Sequence, residues 1–153
     1  MADRPERFVE LSQGQGRMSE GAVFMVEKKS LTDIVQGLTH LAGRTPAMAF
    51  DGVADSAFAK VAPYRNGAIS VGYYSGNTEW ERHPGGDEIV MCMDGHTTVV
   101  LLANGEQQRI DLKAGELVVV PQGRWHRFEN SVRLKVMGVT PEPTDHSLDL
   151  PQH

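Results

Sequence analysis

Cysteine is nearly missing from this chain of 153 residues, where Cys92 stands alone. A single thiol excludes an intrachain disulfide, and the scarcity fits a reducing, cytoplasmic setting. Cys92 lies inside Ile89-Val90-Met91-Cys92-Met93, an apolar run. Reactive thiols need accessible, electropositive surroundings, so a buried and inert role is expected there. Long apolar runs are missing as well. None approaches the roughly 18 residues of a membrane span, and the opening MADRPERFVE has charges where a signal peptide needs its apolar core. Nor is there a surplus of positive charge. Lys and Arg number 15 against 20 Asp and Glu, for a net charge of -5. That balance argues against a nucleic-acid backbone or an anionic membrane as partner.

Glycine and proline are plentiful, at 16 and 8, and they punctuate the chain into short segments. Residues 1–21 are polar and Gly-rich and read as an arm, and Ala22–Glu27 reads as a short strand. Ser30 opens the one convincing helix, with Asp33 three residues on as in a capping box. Leu31, Ile34, Val35, Leu38, Leu41 and Ala42 follow at helical spacing. Gly43 supplies the stop, and Pro46 prevents resumption. From there the texture is that of strands: AMAF, SAFAKVA, then AISVGYYS after an Asn66-Gly67 hairpin signal. EIVMCM, HTTVVLLA, QQRIDL, ELVVVP, HRFEN and RLKVMGV complete the series, divided by Asp94-Gly95, Asn104-Gly105, Ala114-Gly115 and Gln122-Gly123. Many short strands and no helical pattern between residues 56 and 140 predict an antiparallel sandwich or barrel. The expected organisation is an arm, strand and helix over 1–45, a barrel over 46–140 and a surface tail over 141–153.

Chemistry concentrates in EWERHPGGDE, residues 79–88. Side chains two apart on a strand share a face, so Glu81 and His83 can reach one point. Pro84-Gly85-Gly86-Asp87 can turn the chain and bring Glu88 back on the neighbouring strand. A fourth group comes from Gly115–Asn130, where ELVVV forms a buried strand and Pro121 with Gly123 reverses the chain. His126 then sits on the return strand, facing the interior.

These two stretches resemble the paired motifs of the cupin family. Residues 115–130 match G-x5-P-x-G-x2-H-x3-N at all five specified positions. Residues 81–95 resemble H-x-H-x4-E-x6-G, with His83, Glu88 and Gly95 in register. Glu81 replaces the first His, and Ser75 stands where a glycine is expected, with Gly76 one place late. The resemblance implies an all-β, antiparallel jelly-roll β-barrel with one N-terminal α-helix, often a homodimer. It also implies one divalent metal (Zn, Fe, Mn or Ni) held by Glu81, His83, Glu88 and His126.

Two neutral imidazoles with two carboxylates cancel a divalent charge, making a poorer Lewis acid than a three-His cage and one that tolerates harder ions. If Glu81 stays unbound, His83, His126 and Glu88 form a two-His-one-carboxylate set, and Glu81 becomes a catalytic base. A metal-free cupin with polar pairs in the barrel mouth is the alternative. The implied function is metal-dependent, isomerase- or dioxygenase-like chemistry on a small polar metabolite, against a non-catalytic binding domain. His40 is read as a helix-surface residue, and His96 and His146 as exposed. Trp80 and Trp125 alternate with the ligands and should face away. Phe128 and one of Tyr73 or Tyr74 are expected in the cavity. Arg82, Arg124 and Arg127 are read as solvated, and Asn130 as a turn former.

Overall fold

A computed structural model describes residues 26–152. The chain divides into residues 1–30 and 31–153. Of the first unit only 26–30 are described, without regular structure. The expected strand over Ala22–Glu27 therefore lies mostly outside the described residues, and Val26 and Glu27 are not in a strand.

The second unit is built from nine strands and one α-helix. Helix α1 spans Leu31–Gln36, starting directly after Ser30 as predicted but stopping well short of Gly43. Its buried residue is Val35. Leu41 and Ala42, counted in the helical stripe, instead begin strand β1, Leu41–Arg44, which runs parallel to β3, Gly67–Gly76. Helical spacing alone cannot distinguish six residues plus a strand from one longer helix, because sheet pairing overrides local propensity. AMAF is another correction: Pro46–Ala49 form a 3-10 turn rather than a strand.

Strand β2, Phe58–Tyr64, pairs antiparallel with β3 through a tight turn in which Tyr64 faces Gly67. The hairpin is where the sequence indicated, with Arg65 and Asn66 as its loop and Gly67 already in the strand. Strand β4, Trp80–Arg82, is short. Strand β5 runs unbroken from Glu88 to Ala103, so Asp94-Gly95 does not divide two strands. Here β5 shifts register against β8, His126–Pro141, between Cys92 and Thr98. Gly95 has φ 78, and a Cβ there would meet the Arg133 carbonyl oxygen at 2.3 Å. The glycine serves a bulge, which lets a long strand bend without ending. HRFEN and RLKVMGV likewise fuse into β8, with Asn130 (φ 53) and Arg133 (φ 43) at its kink.

Strands β6, Glu106–Lys113, and β7, Leu117–Val120, both pair with β5. Strand β8 joins the layers by pairing with β5 along one side and with β3 and β4 along the other. The fold is an antiparallel jelly-roll barrel with one short helix. Tyr74, Val90, Cys92, Val99, Leu101, Leu112, Val120, Phe128 and Leu134 form its core. Cys92 is wholly buried, and burial, the largest influence on it, raises its thiol pKa. Among the described residues no helix is long and apolar enough to cross a membrane.

The tail is more than a surface strand of coil. Asp145–Ser147 form β9, which pairs antiparallel with β4 so that His146 faces Glu81. That places the C-terminal segment over the end of the barrel where the motif residues gather.

Candidate metal centre

Strand parity explains why the acids and imidazoles go inward. On β5 the buried face starts Glu88, Val90, Cys92, while Ile89 is 37% exposed. Glu88 is thus the first member of an apolar row. On β8, His126 and Phe128 are both buried on one face. Glu81 is the direct cross-strand partner of His126, and His83 follows just beyond the end of β4. Glu88 does not return beside β4, contrary to expectation. Strand β5 pairs with β7 and β8, and it is β8 that lies next to β4.

Two loops hold this arrangement. The Gln122 backbone N–H donates to the Asp87 carboxylate at 2.8 Å, and the Gln122 amide donates to the Pro84 carbonyl at 2.6 Å. Gly123 N–H donates to the His83 carbonyl at 3.0 Å. The turn after β4 and the turn before β8 are therefore stapled together, and with them His83 and His126.

The four side chains converge: one ligand atom from each of Glu81, His83, Glu88 and His126 lies within 4.8 Å of all the others. His126 Nε2 is 3.1 Å from Glu88 Oε1 and 3.5 Å from Glu81 Oε1, and His83 Nε2 is 3.0 Å from Glu88 Oε2. Each imidazole has its other nitrogen occupied. His126 Nδ1 lies 3.0 Å from the Arg124 carbonyl oxygen, which can only accept, so Nδ1 carries a proton. His83 Nδ1 meets the Thr144 hydroxyl at 3.0 Å. For His126 this leaves Nε2 of a neutral ring as a lone-pair donor, and the Thr144 hydroxyl permits the same tautomer of His83, the usual orientation of a metal-ligating histidine. Thr140 Oγ1 donates to Glu88 Oε2 at 2.6 Å.

Without a cation these groups restrain each other's protons. Burial alone would lower the His126 pKa, but hydrogen bonding and charge from Glu81 and Glu88 outweigh it and raise the pKa to about 10. Burial would raise Glu88, yet contacts with His126 and His83 take it down to about 2. A shared proton thus does for the carboxylates what a metal ion would. The donor set fits a metal ion on a further ground. His83 Nε2 is buried and makes no hydrogen bond despite its closeness to Glu88. An orphaned buried nitrogen is costly unless something else meets it.

A cavity of about 200 Å³ adjoins the cluster, with Phe58, Tyr74, Val90, Phe128 and Val136 among its apolar walls. Phe128 and Tyr74 line it as expected, whereas Tyr73 lies under Lys135 and His40. His40 is not on a helix surface; its Nε2 lies 2.9 Å from Ser75 Oγ. His96 is half-buried and faces Lys113 and Val132 across its neighbouring strands, apart from the cluster. Arg124 is exposed, but Arg82 and Arg127 are not simply solvated. Arg82 pairs with Asp145 at 2.8 Å and stacks on Trp125, and Arg127 stacks on Trp80 and pairs with Glu129.

His146, read as a surface group, is indeed exposed, but it reaches the cavity mouth, where its Nδ1 lies 3.1 Å from Glu79 Oε1. Glu79 is buried and was not singled out from the sequence, although it stands two residues before Glu81 and so shares its parity. Thr140, Thr144 and Arg44 were missed too. The two threonines sit 52 and 61 residues from their partners, and no local signal marks them.

Residues 73–139 match the Cupin domain family. A solved hydroquinone 1,2-dioxygenase, PnpCD, in complex with Cd2+ and 4-hydroxybenzonitrile, is similar over 82% of this chain and 83% of its own, at 16% identity and TM-score 0.52. A cupin-2 domain containing protein from Shewanella frigidimarina is similar over 59% of this chain and 79% of its own, at 22% identity and TM-score 0.46. A cupin superfamily protein from Desulfitobacterium hafniense covers 56% and 76%, at 19% identity and TM-score 0.49. No curated protein matches the chain by sequence. The class is a jelly-roll barrel with a cluster of potential metal ligands at one end of its interior. The match covers a little under half of the chain, and residues 73–139 are similar to a small cupin domain.

Proposed function

We propose that Glu81, His83, Glu88 and His126 bind one divalent metal ion, and that this cupin acts on a small polar metabolite by isomerase- or dioxygenase-like chemistry. The observation that carries this reading is the convergence of four donors within 4.8 Å, three of them buried. Glu88 is buried, and a buried carboxylate needs a positive partner, which a protonated His126 or a metal ion can supply. When bound, the ion supplies Lewis acidity for a substrate oxygen and stabilises enolate-like charge. Thr144 and the Arg124 carbonyl hold the two rings, and the apolar walls limit water.

Glu81 differs from the rest. Its side chain is 20% exposed against 5% for Glu88, and it stands farther from His126. That supports Glu81 as the most labile ligand or as the proton carrier facing the cavity. Metal analysis of protein purified without chelator, paired with His126→Ala, tests the proposal. One ion per chain is expected in the parent and none in the variant, with turnover restored by one particular ion. Protein lacking stoichiometric metal, whose ligand affinity ignores EDTA, is instead a non-catalytic binding domain. Glu81→Ala separates the two roles: metal content survives if Glu81 is only a base and falls if it is a ligand.

Self-association belongs to the same reading. Ile89 faces Val119 across β5 and β7, and Ile89, Leu117 and Val119 are 37%, 54% and 54% exposed. This apolar strip supports a homodimer; sedimentation equilibrium giving a monomer at all concentrations would remove that part.

A further inference from the structure

The proposed cage accounts for one end of the cavity. The same cavity is lined by a cation of the chain's own, Arg44, which the cage does not use. Arg44 ends β1, outside residues 73–139, so the family match assigns it no task. Its side chain is 10% exposed. The guanidinium carbon lies 4.5 Å from the centroid of the Tyr74 ring and 5.0 Å from that of Phe58, so two aromatic faces brace it. Burial pushes the Tyr74 phenol well up, which keeps that ring neutral. The backbone below is equally constrained. Arg44 pairs with Gly76, and Asn77 N–H donates to the Arg44 carbonyl at 2.9 Å. A Cβ at Gly76, whose φ is 118, would stand 2.2 Å from that carbonyl oxygen. The glycine found one place late in the first motif is the one that seats this arginine.

So placed, the guanidinium is short of partners. Its Nε is buried and makes no hydrogen bond. Nη2 lies 3.6 Å from Glu79 Oε2, beyond hydrogen-bonding distance, and that oxygen is likewise buried without a hydrogen bond. The other Glu79 oxygen is held by His146 at 3.1 Å. Unspent donors on a buried charge are costly, and a planar two-oxygen acceptor can meet both terminal nitrogens of a guanidinium at once. Short steps join Arg44 to the cage. Glu79 is 3.6 Å away, Glu79 and Glu81 offer ligand atoms within 4.8 Å of each other, and all three residues line the same cavity. At about 200 Å³ the space falls below the range of drug-sized sites, so its occupant is small.

We propose that Arg44, braced by Tyr74 and Phe58, is a carboxylate-recognition subsite, and that the substrate is a small hydroxy- or oxo-carboxylate with its carboxylate on Arg44 and its second oxygen toward Glu81 and His83. A phosphate fits less well, because one guanidinium faces walls that also carry Glu79, Glu81 and Glu88. The inference rests on the metal reading only for which end reacts; the carboxylate end stands on Arg44 itself.

Calorimetry on the full chain, metal-free and Mn(II)-loaded, compares 3-hydroxybutyrate with the isosteric 3-hydroxybutyramide. The acid is expected to bind about tenfold tighter or more in both forms. Arg44→Gln should abolish that preference and Arg44→Lys should keep part of it. Equal affinity for acid and amide in the parent, no binding of either, an undiminished preference in Arg44→Gln, or tighter binding of inorganic phosphate would each overturn the subsite. Should Arg44→Gln fail to fold by circular dichroism, Arg44→Lys decides, since an unchanged preference without the planar fork overturns it. Failure to take up Mn(II) sinks the cage alone, because the metal-free arm still reads Arg44.

Discussion

Metal binding to the four-donor cluster should release a proton, and the structure indicates which one. In the metal-free protein His126 holds its proton up to about pH 10, because Glu81 and Glu88 face its Nε2 at 3.5 and 3.1 Å. An incoming ion needs that nitrogen's lone pair, so it competes with the proton. Apparent affinity should climb about tenfold per pH unit and differ by about a thousandfold between pH 7 and pH 10. The same linkage fixes the sign of the stability profile. The folded-state pKa of His126 is raised above 6.5, so its contribution is complete below pH 6.5 and is lost as pH rises toward 10. Glu88 is depressed from 4.5 to about 2, so its contribution holds above pH 4.5 and is lost as pH falls toward 2. Metal-free protein should therefore be most stable between about pH 4.5 and 6.5 as far as this pair is concerned, and metal should flatten the alkaline limb. Calorimetry in two buffers of different ionisation enthalpy counts the released protons directly. An affinity independent of pH, with no proton released, would refute the argument that His126 shares a proton with the two carboxylates.

Other consequences can be measured by unfolding and labelling. Leu134 is wholly buried in the core, and Leu134→Ala should cost about 2–5 kcal/mol in urea denaturation. Asp87→Ala removes the acceptor for the Gln122 N–H; a loss of about 1–2 kcal/mol should come with weaker metal binding, since the two histidine-bearing turns are no longer tied. Gly76→Ala introduces a side chain at positive φ against the Arg44 backbone, and it should lower thermal stability by more than an exposed glycine replacement such as Gly105→Ala. Cys92 should react with a thiol reagent only at the rate of unfolding, given its burial and raised pKa. Fast labelling of native protein would contradict its position in the core.

Some of this was legible along the chain because it depends on short-range periodicity. Phe128, two residues beyond His126, was expected in the same cavity from parity, and both are buried on one face of β8. The turn after Val120 was readable too, since Pro121 and Gly123 constrain the backbone locally, and Arg124 N–H closes it on the Pro121 carbonyl. Turn signals misled where a bulge uses the same residues: Gly95 permits a sharp bend within a strand as readily as an end to one. Helical spacing misled at Leu41, where pairing with Tyr74 offered backbone hydrogen bonds that a helix would otherwise have had to supply.

What the sequence by itself determined was an antiparallel β architecture of many short strands, because strand alternation and turn chemistry act over a few residues. Tertiary structure decided the neighbours. It set β8 rather than β5 beside β4, brought Thr144 to His83 and His146 to Glu79 from the far end of the chain, and laid Arg44 over the adjoining rings of Phe58 and Tyr74. Such contacts join residues tens of positions apart, and they form only where packing of the whole barrel brings the segments together. No local pattern encodes that convergence.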